Sequence, residues 1–169
     1  NTGKDTVVFH LTNNQFDSGL SEIFVGGLIC IESIYPDFCA SFVQRGAELL
    51  VVVTNDSWYG NSSGPYQHKE FAALRAVENR RSVVRAANGG ISCLIDPLGR
   101  TITETNMFER DVLIVEAGIE SSLTFYTKYP LLIPLVCVFI VILLIIMSIY
   151  DKLKVYRQEK ISDIFSQLP

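Results

Sequence analysis

An α/β domain followed by a single transmembrane helix is the architecture this sequence predicts, and three observations carry it. Extended apolar runs at 6–11, 23–30 and 47–56 alternate with helical patterns at 36–44 and 66–81, the order expected of strands layered against helices. Residues 131–150, "LLIPLVCVFIVILLIIMSIY", form a stretch of twenty without one charge; at about 1.5 Å per residue it reaches roughly 30 Å, the thickness of a hydrocarbon core. The composition, 49% hydrophobic and 19% charged with a net charge of -4, is that of a chain that packs a core.

"TVVFHL" reads as a strand, and the Asn, Asp, Ser and Gly of "NNQFDSG" as the turn after it. "IFVGGLIC" resumes an extended run. Pro36 then suits the first position of a helix through Gln44, with Phe38, Phe42 and Val43 on one face and Gly46 as its stop. Cys30 therefore lies in a strand-to-helix turn. The β-branched run "AELLVVVTND" predicts a strand covered on both faces. "SWYGNSSGP" is a loop, and "YQHKEFAALRAVENRR" a helix with Phe71, Leu74 and Val77 sharing a face and Arg80 and Arg81 complementing its C-terminal dipole. "SVVRAANGGISCLID", a "PLGR" turn and "DVLIVEAG" supply two or three further strands. A second layer is expected outside this stretch of chain.

The membrane segment is expected at 130–150, with Pro134 in its first turn, where a missing N–H costs little. Tyr126, Tyr129 and Tyr150 mark the two interfaces. Lys152, Lys154, Arg157 and Lys160 follow, so the positive-inside bias assigns 151–169 to a cytoplasmic tail and 1–125 to an extracytoplasmic domain. The chain opens on Asn1 with no signal-sequence pattern, and part of a longer polypeptide is expected.

Several function classes drop out. The mild acidity is spread without a basic stripe, which leaves no nucleic-acid partner. Cys30, Cys39, Cys93 and Cys137 form no CxxC pair, and His10 and His68 no cluster, which leaves neither a zinc site nor a disulfide framework. No metal or cofactor is expected. "NSS" at 61–63 matches a glycosylation acceptor.

Cys30 is the residue with chemical promise. A thiol between a strand end and a helix N-terminus has access and a favourable dipole, and the Ile31 amide can donate to an oxyanion forming on a carbonyl attacked there. A packed, inert thiol is the alternative.

"GGLICIESIYPDF", "GAELLVVVTNDSWYGNSSGPYQHKEFAALRAVENRRSVVRAANGGISCLIDPLGR" and the terminal apolar span, in this order, resemble the C-terminal part of the bacterial apolipoprotein N-acyltransferases, membrane-embedded members of the nitrilase, or carbon-nitrogen hydrolase, superfamily. The resemblance covers roughly residues 24–150. It implies the C-terminal half of a nitrilase-like αββα sandwich, anchored in the bacterial inner membrane with its globular part facing the periplasm and further spans in the full-length protein. It implies that Cys30 takes an acyl chain from a phospholipid as a thioester and passes it to the N-terminal amine of a diacylglyceryl-cysteine on an apolipoprotein. The partners so implied are the phospholipid donor, the apolipoprotein acceptor, the membrane and the missing N-terminal part of the same polypeptide. The family's Glu-Lys-Cys triad draws its Glu and Lys from upstream; Lys4 and Glu22, the only Lys and Glu before Cys30, match no family motif.

Glu32 matches a family carboxylate beside the nucleophile, placed to orient the turn or a substrate amine, with a structural salt bridge as the alternative. Position 31 often carries Tyr in the family and is Ile31 here, which changes the pocket edge. Trp58 and Tyr59 occupy the loop that lies near the family's active site and are expected to contact acyl chain or headgroup; for Trp58 the alternative is packing. Asn55 and Asp56 are expected to hold that loop through side chain to backbone bonds, and Arg85 and Asn88 to brace site or core. A Cys-His dyad with His68 is not expected. Cys39 and Cys93 read as packed thiols. Two other readings stand beside the acyltransferase: a membrane-tethered amidase that passes its acyl group to water, and a non-catalytic fragment lacking the triad's Glu and Lys.

Overall fold

The computed structural model describes residues 6–12 and 22–166. The turn expected at "NNQFDSG" and the residue Lys4 lie outside them. The chain divides into two units, the first ending at Pro130 and the second beginning at Leu131.

In the first unit one sheet runs in strict chain order: β1 (Val8–Thr12), β2 (Glu22–Ile29), β3 (Leu49–Asn55), β4 (Ser82–Asn88), β5 (Cys93–Ile95) and β6 (Thr101–Glu104). β2, β3 and β4 are mutually parallel, and the outer strands join antiparallel. Parallel neighbours need crossovers, which α1 (Pro36–Gln44) and α2 (Gly64–Asn79) supply. Leu28, Phe42, Val43, Leu50, Val52 and Val83 form the core between sheet and helices.

α1 has the predicted bounds because both ends are chemically specified. Pro36 starts it without sacrificing a needed donor. At the other end Gly46, at φ 99°, lets its own N–H reach Val43 O (3.0 Å) and the Ala47 N–H reach Phe42 O (3.0 Å), the paired bonds that close a helix through a left-handed glycine.

Three expectations are corrected. The outward face of α2 holds Leu74 and Val77, half exposed, while the buried stripe is His68, Ala72, Arg75, Ala76 and Asn79. Periodicity of apolar residues misses such a stripe because its polar members bury with partners: Asn79 Nδ2 donates to Arg75 O (3.0 Å), and Arg75 donates to Ile34 O (3.2 Å). Within this chain β3 is covered on one face: Leu50 and Val52 are fully buried, whereas Val53, on the face left for the second layer expected outside it, is 55% exposed. The register aligns Ile29, Val53 and Ala86 on that open face. "DVLIVEAG" alternates in exposure as a strand would, yet no strand among the described residues pairs with it, and a strand is defined by its ladder. β1 is displaced from 6–11 to Val8–Thr12, where it pairs with β2.

From the last residue of that segment onward the chain is strapped to the domain. Arg81 donates to Ser122 O (2.8 Å), Ser82 Oγ to Gly118 O (2.7 Å), Thr124 Oγ1 to Glu78 O (2.6 Å) and Gln44 Nε2 to Thr127 O (2.6 Å). Arg81 also caps the Asn79 and Arg80 carbonyls at the end of α2, the dipole role expected of it. A short helix that periodicity does not reveal, α3 (Phe125–Lys128), follows Thr124, whose side chain accepts the Thr127 N–H.

The second unit is the single helix α4 (Leu132–Ser166). Its part Leu132–Lys154 is the one helix among the described residues long and apolar enough to cross a membrane. The stretch expected as a separate tail continues the same helix to Ser166.

Candidate active site

β2 ends at Ile29 and a 3-10 turn, Cys30–Ile34, bends the chain toward α1. Cys30 sits at its start with φ 51°, in the left-handed region, a conformation that costs a residue with a Cβ about 1 kcal/mol. The turn is held closed by its own atoms. Glu32 Oε2 accepts the Ile29 N–H at 2.7 Å, Ser33 Oγ donates to Cys30 O at 3.0 Å, and the Tyr35 N–H reaches Glu32 O at 3.2 Å. Glu32 thus orients the turn, and among the described residues it forms no salt bridge. Cys30 is a free, half-buried cysteine, and Ile31 projects half exposed beside it.

Adjacent parallel strands end at one sheet edge, so the turns after β2, β3 and β4 are neighbours there. That edge brings Cys30 together with Ser57–Tyr59, the turn after β3. Trp58 is 83% exposed, so no packing among the described residues occupies it; Tyr59 is less so and lies 6.4 Å from the His68 ring, edge to face. Asn55 accepts from Ser57 N–H (3.2 Å), Ser57 Oγ (2.6 Å) and Asn88 Nδ2 (3.0 Å), which is the loop-holding role expected of it. A cleft of about 560 Å³ opens further along, walled by Ser57, Asn88, Gly89 and Arg110; Cys30 is not in its wall.

Asp56 departs from its expected role. Its fully buried carboxylate grips side chains: Oδ2 pairs with Arg85, and Oδ1 accepts from Thr54 Oγ1 (3.1 Å) and faces His68 Nδ1 at 2.9 Å. Burial by itself pushes the carboxyl up; the hydrogen bonds from Arg85 and His68 outweigh that and hold it below the ordinary carboxylate value. Arg85 also donates to Ile91 O, so it braces the core as expected. A Cβ on Gly90 would collide with the Asp56 carboxylate, which fixes that residue as glycine. His68 turns its other nitrogen to the backbone of Cys30: Nε2 lies 3.2 Å from Cys30 O and 3.2 Å from Ser33 Oγ. The histidine therefore contacts the turn, as a dyad reading would require, but through the carbonyl oxygen of Cys30.

The sequence model of the carbon-nitrogen hydrolase family matches residues 6–122. The chain belongs to that family. The chain has the nitrilase-like α/β fold that the resemblance implied, with a mixed sheet and an apolar C-terminal helix. It is 42% identical over 135 residues to the apolipoprotein N-acyltransferase of Chlorobaculum tepidum, covering 80% of this chain and 25% of that protein. It is 44% identical over 105 residues to the one from Geobacter metallireducens, covering 62% and 20%. The chain thus spans a quarter or less of the length of these curated relatives. The crystal structure of an amidase from Nesterenkonia sp. aligns at 21% identity with a TM-score of 0.47, over 69% of this chain and 40% of the amidase.

Cys39 and Cys93 are set apart from Cys30 by burial. Desolvation pushes Cys39 up to about 12 and Cys93 up to about 11, and both are fully enclosed in the core. They are the packed thiols the sequence suggests. What sequence reasoning missed is the buried set around Cys30: Ser33, Asp56 and His68 as one connected group. Their separations along the chain carry no pattern, and only the crossover through α2 brings His68 back to the turn.

Proposed function

We propose that this chain is the nucleophile-bearing C-terminal part of a membrane-bound N-acyltransferase that modifies apolipoproteins. The observation that carries the reading is Cys30, held at positive φ on the edge where parallel strands end, in a chain more than 40% identical to apolipoprotein N-acyltransferases. In the first half-reaction the Cys30 sulfur attacks a phospholipid ester carbonyl; a C–S bond forms, the C–O bond breaks and a lysophospholipid leaves. In the second, the α-amine of the acceptor's diacylglyceryl-cysteine attacks the thioester; an amide C–N bond forms and the thiol is restored. The Glu that takes the proton and the Lys that faces the oxyanion come from polypeptide upstream of this chain. Glu32 keeps the turn shaped for attack, and Ile31, Trp58 and Tyr59 meet the acyl chain or headgroup.

The span Leu132–Lys154 keeps the thiol at the bilayer that holds its donor, which raises the frequency of productive encounters. Lys152, Lys154, Arg157 and Lys160 put the C-terminal end in the cytoplasm and the domain at 1–125 in the periplasm.

The test uses the full-length protein with a phospholipid labelled in its acyl chain. Trapped before acceptor is added, it should carry the label on Cys30 by mass spectrometry. Cys30→Ala should abolish transfer and Cys39→Ala preserve it. Release of free fatty acid with no acceptor modified would instead assign a hydrolase, and wild-type transfer by Cys30→Ala would remove the mechanism.

A further inference from the structure

We propose that His68 is a positioning residue that sets the nucleophile by gripping the carbonyl of Cys30 from the protein core; this rests on the reading of Cys30 as the attacking thiol. The turn is strained at Cys30, and a strained conformation persists only where its surroundings determine it. Two of its restraints, Glu32 on the Ile29 N–H and Ser33 Oγ on Cys30 O, belong to the turn itself and move with it. His68 is different: it stands on α2, is 2% exposed, and lies within 3.2 Å of both Cys30 O and Ser33 Oγ.

His68 is itself locked. Asp56 Oδ1 and Cys30 O are both acceptors, so the proposed grip uses an N–H on each ring nitrogen, Nδ1 toward Asp56 Oδ1 (2.9 Å) and Nε2 toward Cys30 O (3.2 Å); Asp56 is in turn clamped at the end of β3 by Arg85 of β4 and by Thr54. With both ring nitrogens engaged the imidazole cannot rotate without giving up a partner. A buried line therefore runs from the central parallel strands through Asp56 and His68 to the backbone of the reactive residue. Such a link transmits the rigidity of the sheet to the sulfur, and small displacements of a reacting atom cost rate steeply.

Two substitutions of His68 in the full-length protein separate this role from plain core support. His68→Gln keeps a donor at the place of Nε2 and so can still reach Cys30 O. His68→Asn keeps a donor at the place of Nδ1, can still bind Asp56, and falls short of the turn. Single-turnover formation of the labelled Cys30 thioester should fall about 100-fold in His68→Asn, at unchanged half-saturation by phospholipid, and stay within about tenfold of wild type in His68→Gln. Melting temperature should not separate the two. Equal rates in both variants, or rates that follow melting temperature alone, overturn the proposal. Should His68→Asn fail to fold, Ser33→Ala serves: it removes the turn's own bond to Cys30 O and leaves His68 in place, so the thioester rate should stay within about tenfold of wild type, and a fall of about 100-fold would assign the hold on Cys30 to the turn itself and overturn the proposal. The underlying reading fails separately, if the label forms on a residue other than Cys30 in the wild-type protein.

Discussion

Cys30, Cys39 and Cys93 are the same side chain in three environments, and the environments decide their chemistry. Cys30 begins a turn at a sheet edge, half-buried; Cys39 and Cys93 are enclosed by apolar neighbours that disfavour a charged sulfur. Iodoacetamide at about pH 8 is therefore expected to alkylate Cys30 in the native protein and to leave Cys39 and Cys93 unmodified, as read by peptide mass spectrometry. The same burial predicts alkaline sensitivity. A thiol whose folded value, about 12 for Cys39, lies above its ordinary 9.0 favours the folded state fully below pH 9.0 and loses that contribution as pH rises through the folded value. Cys39→Ala should flatten the fall of melting temperature above pH 9.0.

At the scale of elements, local chemistry and tertiary context share control. α1 keeps the bounds its sequence predicts because Pro36 and Gly46 act within a few residues. A Cβ at Gly46 meets nothing within 4 Å, so Gly46→Ala tests backbone conformation free of any clash. It should lower stability by about 1 kcal/mol, seen as a shifted denaturant midpoint at constant slope. α2 obeys a different logic. Its apolar spacing points to Leu74 and Val77, but Arg75 and Asn79 find hydrogen-bond partners in the core and bury in their place.

Across the whole molecule the sheet is covered by α1 and α2 on one face and bares Ile29 and Val53 on the other. We propose that the upstream part of the full-length enzyme covers this open face as the second layer of the sandwich. Val53→Asp would then bury an unpaired carboxylate and destabilise the full-length protein by several kcal/mol. On a face left to solvent the change should stay within about 0.5 kcal/mol. Thermal unfolding of the purified full-length variant distinguishes the two outcomes.

Much was legible in residues alone. The uncharged run at 131–150, the Pro36 start and Gly46 stop of α1, the Cys30 turn and the β-branched third strand each depend on neighbours a few positions away, so their physics is written locally. The order of motifs likewise pointed to the family. Three-dimensional packing alone decided which face of α2 is buried, that "DVLIVEAG" pairs with no strand among the described residues, and that Asp56 serves His68 and Arg85 rather than its own loop. Hydrogen bonds and burial between residues 12 to 38 positions apart, as from Asp56 to His68 to Cys30, follow from how the crossovers fold back, and no periodicity along the chain encodes them.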